Sequence, residues 1–304
     1  MDKVRIIQPG PDNPYNTPIM DPFGITRKYL DLDYTPALPH PMRKLDIFLP
    51  EEGNGPFPLL IYMHGGGFVG GLKNDFHTVS YMEEAFKANF AFASVEQRLC
   101  APQPGGSFDP DGRFPGSLFD LKAAIRFLRA NAEKYQLDPG RFALLGPSAG
   151  GYHVAMAAAT QDVAAMYDET MGHKGVSEKV QAVIDLFGVG DLVLQKDSRG
   201  TPDKLDNHDA FFGADLLQYA HLAWIANPES WVSPAMPPIL IQAGAADQVV
   251  TVECSRRLAK RVEEVCGKDR VDYDEFPGYA HGDERFHDPA NHKRQWDWLK
   301  EKLK

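Results

Sequence analysis

Residues 146–151 read Gly-Pro-Ser-Ala-Gly-Gly, with the apolar run RFALL at 141–145 before them and an alanine-rich stretch at 150–160 after. A strand that turns straight into a helix around a serine is a narrow steric solution. The hydroxyl must project from a sharp turn, and only small flanking residues let strand and helix close without collision. The turn also sets the N–H groups after the serine at a helix N-terminus, where negative charge is favoured. Ser148 is therefore the candidate nucleophile, and the N–H of Ala149 a candidate oxyanion donor.

The remaining chain alternates strand and helix signals. Strands are expected at 59–63 (LLIYM, continuous and fully buried), 90–95, 183–187, 239–243 and 271–276. Helices are expected at 78–89, 117–135, 150–160, 254–265 and 291–303. In the second of these, Leu118, Leu121, Ala124, Ile125 and Leu128 recur at helical spacing. Residues 43–49 (RKLDIFL) alternate apolar and polar, as a half-exposed strand would. This rhythm predicts an α/β fold, a mostly parallel central sheet with helices on both faces, in one domain spanning 1–304. Residues 1–42, rich in proline (Pro9, Pro11, Pro14, Pro18, Pro22) and aromatics (Tyr15, Phe23), suit an irregular arm on the surface over the active site. Residues 191–231 interrupt the rhythm with Phe211, Phe212, Leu216, Leu217, Tyr219 and Trp224, and read as a small helical cap beside the site.

A serine nucleophile needs a base, and the base an orienting acid. His281, in FPGYAHGD, follows the last strand on a turn-rich loop, where α/β sites assemble. His153 lies in the helix behind the serine and is expected to be packed there; His287 and His292 are expected at the surface. Asp247, in GAADQVV, follows the strand ILIQA in the same manner and is the candidate acid. Asp185 and Asp191 are rivals near an earlier strand end, and at least one of Asp272 and Asp274 should face solvent. The run His64-Gly65-Gly66-Gly67-Phe68 directly after LLIYM leaves the N–H groups of Gly66 and Gly67 open to a carbonyl oxygen. Each such donor is worth roughly 3 kcal/mol in a transition state. His64 is expected to hold this loop rather than move protons. The run has neither the Lys nor the Ser/Thr of a P-loop.

Composition narrows the function. A net charge of −10 argues against nucleic-acid binding, which needs clustered Lys and Arg. Cys100, Cys254 and Cys266 are odd in number and lack metal-ligand spacing, so idle thiols in a reducing compartment are expected and no metal site is. The first residues show no apolar h-region and no run is long enough to span a membrane, which points to the cytoplasm. Oligomeric state is not readable from the sequence.

With these motifs placed, the chain resembles the hormone-sensitive-lipase-like carboxylesterases of the α/β-hydrolase fold, and more closely the bacterial acetyl and feruloyl esterases (BD-FAE-like). The likeness rests on RKLDIFLPEEGNGPFPLLIYMHGGGFVGG, FPGSLFDLKAAIRFLRANAEKYQLDPGRFALLGPSAGG, PPILIQAGAADQVV and GYAHGD, in that order. It implies cofactor-free, two-step hydrolysis of small-molecule or carbohydrate esters, with short acyl, acetyl or feruloyl groups. The order Ser148, Asp247, His281 is that of the fold. Phe68, Phe211, Phe212 and Trp224 are candidate substrate contacts. Two departures bear on substrate preference. Pro147 stands where many relatives have an acidic residue, and Gln97-Arg98-Leu99 replaces Tyr-Arg-Leu before a polar insertion, 104–113, that could border the pocket. An amidase such as an arylformamidase would use the same residues. A binding protein derived from an esterase, like the plant gibberellin receptors, would characteristically lack the histidine present here as His281.

Overall fold

A computed structural model describes residues 3–8, 18–198 and 206–304. Its strands are β1 (Arg5–Ile7), β2 (Ile19–Asp21), β3 (Lys28–Asp33), β4 (Lys44–Phe48), β5 (Phe57–Met63), β6 (Ala91–Val95), β7 (Leu137–Pro147), β8 (Ala182–Leu186), β9 (Ile239–Gly244) and β10 (Val271–Phe276). The α-helices are α1 (Thr78–Lys87), α2 (Gly116–Ala130), α3 (Ala149–Ala159), α4 (Leu192–Ser198), α5 (Asn207–Phe212), α6 (Ala220–Ala223), α7 (Val252–Cys266) and α8 (Pro289–Lys302). Strands β3 to β10 form one sheet in the order β10-β9-β8-β7-β5-β6-β4-β3, with β4 antiparallel to both of its neighbours and every other pair parallel.

Alternation along each central strand sorts its side chains between two apolar layers. Leu59, Ile61 and Met63 of β5 join Leu144 of β7 and Ile241 of β9 in a core closed by α2, α3 and α7. Leu60 and Tyr62, with Leu145 and Leu240, face the other way, onto α1 and α8. Because β5, β7, β9 and β10 run parallel, the loops that follow them emerge at one edge of the sheet. That edge receives His64–Gly67, Ser148, Asp247 and His281.

Several sequence expectations need correction. The strand at 43–49 is not half-exposed: Leu45, Asp46, Ile47 and Phe48 are all buried. Its polar position, Asp46, meets the ammonium of Lys73 at 2.6 Å and accepts the N–H of Asp31 at 2.7 Å, so a buried pair occupies the place assigned to water. The arm at 1–42 is partly regular. β1 and β2 pair antiparallel, and β3 completes the main sheet as an edge strand whose Lys28 and Asp31 discourage further pairing; its residues 1–2 and 9–17 lie outside the described residues. The 104–113 insertion does not border the cavity described below. Its last residue, Arg113, packs against Gly213 of the segment expected to form the cap, and the next residue, Phe114, donates its N–H to Phe211 C=O at 2.9 Å. That segment, 191–231, contains α4, α5, α6 and 3-10 turns at Trp224–Ala226 and Pro228–Trp231, with 199–205 outside the described residues.

Candidate active site

β7 ends at Pro147 and α3 begins at Ala149, leaving Ser148 between them at φ 56°, ψ −121°. A non-glycine residue held there stores about 1–3 kcal/mol of backbone strain, which the surroundings must impose. The N–H of Ser148 donates to Leu186 C=O at 2.8 Å, and Tyr152 N–H donates to Ser148 C=O at 3.0 Å. Tight packing demands the glycine that follows: a Cβ on Gly150 would collide with the carbonyl oxygen of Met63.

The structure brings Ser148, His281 and Asp247 into one chain of hydrogen bonds. His281 Nε2 lies 3.0 Å from Ser148 Oγ, and Nδ1 lies 2.7 Å from Asp247 Oδ2. The other carboxylate oxygen, Oδ1, accepts the N–H groups of Val249 at 2.7 Å and Val250 at 2.9 Å, which fixes its orientation. Asp247 is nearly covered, its side chain 2 % exposed, while His281 keeps 19 % and reaches the cavity. The ring of Phe187 packs edge-on against His281 at 4.9 Å between centroids. With Nδ1 donating to a carboxylate, Nε2 is the nitrogen free to take a proton from Ser148.

The rival carboxylates are otherwise engaged. Asp191 accepts the N–H groups of Val193 and Leu194 and the amide of Asn227, and pairs with Arg257 at 3.0 Å. Asp272 and Asp274, both partly exposed, pair with Arg294. Asp185 is sealed beneath the serine turn, where burial raises its pKa to about 7, and it accepts the N–H of Gly188 at 2.9 Å.

Gly66, Gly67 and Ala149 line the same cavity as Ser148 and His281. Gly66 sits at φ 111°, and a Cβ there would collide with Gly70 C=O, so the loop requires glycine. His64 is fully buried under this loop. Its Nδ1 bonds Gly65 C=O at 2.7 Å and its Nε2 bonds Glu96 at 2.9 Å. Burial opposes charge on the ring, but the hydrogen bond and charge of Glu96 outweigh it and hold the pKa above its ordinary value. Held at both nitrogens, the ring serves as a pin for the loop, the structural part expected of it. His153 is packed against Phe68, Tyr152 and Phe211, and burial lowers its pKa to about 3.

The cavity holds about 850 Å³. Of the aromatic residues expected to touch substrate, Phe68 lines it, whereas Phe211, Phe212 and Trp224 do not. Phe211 is buried behind Phe68, stacked at 4.1 Å, and Trp224 is half exposed away from the cavity. The segment 191–231 reaches the cavity through Asn207 and His208 instead. Sequence reading missed them, and missed His287, which also lines the cavity and is half-buried rather than superficial; His292 behind it is buried. Among the described residues, no cluster of His, Cys, Asp or Glu could hold a metal ion, and no helix is long and apolar enough to cross a membrane.

The BD-FAE family model matches residues 45–262. Esterase LipC of Mycobacterium tuberculosis is 27 % identical over 248 residues, 80 % of this chain and 57 % of LipC. The chain thus spans little more than half of that relative, and half or less of other curated relatives. Among solved structures, a truncated carbohydrate esterase from gut microbiota superposes with a TM-score of 0.78 at 24 % identity, covering 92 % of this chain and 97 % of that one. A bifunctional GH43-CE of Bacteroides eggerthii gives 0.79 at 22 % identity, covering 94 % of this chain and 39 % of that one. At these identities the structures establish a shared fold, that of the α/β-hydrolase esterases.

Proposed function

The chain belongs to the BD-FAE family, and from that premise we propose that it is a serine carboxylesterase acting on short acyl esters, acetyl and feruloyl esters of carbohydrates among them. The observation that carries the reading is the pair of contacts at His281, 3.0 Å to Ser148 Oγ and 2.7 Å to Asp247.

Ser148 Oγ attacks the ester carbonyl carbon while His281 Nε2 takes its proton, and Asp247 stabilises the imidazolium that forms. The carbonyl oxygen becomes an oxyanion facing the N–H groups of Gly66, Gly67 and Ala149. Collapse breaks the bond to the alcohol oxygen, which leaves with the proton from His281. Water then attacks the acyl-serine with His281 again as base, and the acid product departs as Ser148 regains its hydrogen. The names of the carbohydrate esterase neighbours support a sugar ester as substrate.

Steady-state hydrolysis of p-nitrophenyl acetate, butyrate and octanoate and of methyl ferulate tests the reading. Wild type should turn over the short esters, and Ser148→Ala should lose about 10⁴-fold or more in kcat. Wild type inactive on all four esters, or a Ser148→Ala variant that keeps its rate, would sink it.

A further inference from the structure

The cavity spans the edge of the sheet, and its two walls belong to different layers. Phe68 lies in the layer with α2 and α3, together with the apolar Val69 and Pro102 along the lining. Tyr62 and Tyr81 lie in the opposite layer, with α1 and α8, and there the lining turns polar through Asp75, His77 and His287. None of these polar residues takes part in the chemistry described above.

Tyr62 is fully buried, yet its hydroxyl has no hydrogen-bond partner among the described residues. A buried hydroxyl left unmatched is destabilising, so its persistence against a cavity wants a reason. Its ring is held by stacking on Tyr81 at 5.7 Å. His287 stacks on His77 at 5.8 Å, and its Nδ1 lies 3.2 Å from Ser80 Oγ. Burial lowers the pKa of His287 to about 4, so at neutral pH the ring carries no charge, and with Nδ1 engaged by Ser80 it is Nε2 that a ligand would meet. Among the described residues no Lys, Arg or Glu lines the cavity, which leaves an anionic substrate group without a counter-ion. The carboxylate of Asp75 is buried and accepts the N–H of His77 at 2.9 Å.

Resting on the esterase reading above, we propose that Tyr62, His77 and His287 form a subsite for the neutral, hydroxyl-bearing part of the substrate, a sugar or polyol. Tyr62 and His287 are its specificity-determining residues.

The test compares kcat/KM for a monoacetylated methyl xyloside with that for cyclohexyl acetate, an apolar alcohol of similar size. Wild type should prefer the sugar acetate. Tyr62→Phe and His287→Phe, which keep the rings and remove the polar atoms, should each lower the sugar-to-cyclohexyl ratio about five- to tenfold. A ratio unchanged in both variants overturns the subsite, even if both rates fall together. Preferred turnover of acetylcholine over both esters would overturn it too, by making Asp75 a cation site. Failure of the esterase reading is a separate result: wild type would then hydrolyse neither of these esters nor p-nitrophenyl acetate.

Discussion

The substitution Asp185→Asn isolates the carboxyl sealed under the serine turn. Burial raises its pKa from an ordinary 3.8 to about 7, with the single N–H of Gly188 opposing the rise. The folded protein therefore binds this proton more tightly than the unfolded chain. The resulting stability is fully present below pH 3.8 and is lost as pH rises through about 7. At about 1.4 kcal/mol per pH unit, the whole effect is about 4 kcal/mol, of which about 3 falls between pH 5 and 8. The asparagine side chain would keep an oxygen for Gly188 and could not ionise. The variant's absolute stability carries an unknown packing offset, but that offset does not vary with pH. Histidines that titrate in the same range act in both proteins and cancel in the difference. Urea unfolding of the two proteins from pH 5 to 8 should show the variant gaining about 3 kcal/mol on wild type as pH rises. Curves that stay parallel within about 0.5 kcal/mol would refute the buried, proton-retaining carboxyl.

Gly66→Ala forces a Cβ into Gly70 C=O at a φ of 111°; displacing the loop should lower kcat on p-nitrophenyl acetate about a hundredfold, with a smaller change in KM. Arg126 is buried and pairs with Glu178 at 3.0 Å. Arg126→Met, which leaves Glu178 to Lys122 alone, should cost about 3 kcal/mol in denaturant unfolding. Burial pushes the thiols of Cys100 and Cys254 up to about 12, whereas Cys266 is only partly covered. Thiol labelling of the native protein at pH 8, read by mass spectrometry, should therefore modify Cys266 alone.

The serine turn was legible because its chemistry is steric and local: six consecutive residues must be small, and the flanking periodicities change on either side. His281 and Asp247 could be selected because a parallel sheet delivers every loop after a strand to the same edge, so position after a strand stood in for three-dimensional proximity. Where the fold depended on partners distant in sequence, the pattern misled. Asp46 in RKLDIFL has the alternation of a solvent face, but Lys73, 27 positions on, fills that face. The edge strand β3 was hidden in a proline-rich stretch because it pairs with β4 alone in the sheet and no residue of it is buried to mark a core face. His287 looked superficial, since nothing in ERFHDPA says that α1 will bring His77 and Tyr81 against it.

Aromatic residues posed the same problem more sharply, and the outcome changes what the segment at 191–231 does. Phe211 and Phe68 were both expected to touch substrate, yet they touch each other: the rings stack at 4.1 Å and only Phe68 meets the cavity. Phe68 holds a left-handed backbone, φ 69°, directly after Gly66 and Gly67, so its ring must be gripped for the loop to keep its shape. Phe211 grips it from α5, and Asn207, four residues earlier on the same helix, donates to Gly67 C=O at 2.7 Å. One short helix thus braces the glycine loop at two consecutive residues, while His64 and Glu96 pin it from beneath. In the mechanism proposed above, its contribution is the placement of the Gly66 and Gly67 N–H groups as much as the shaping of a pocket wall.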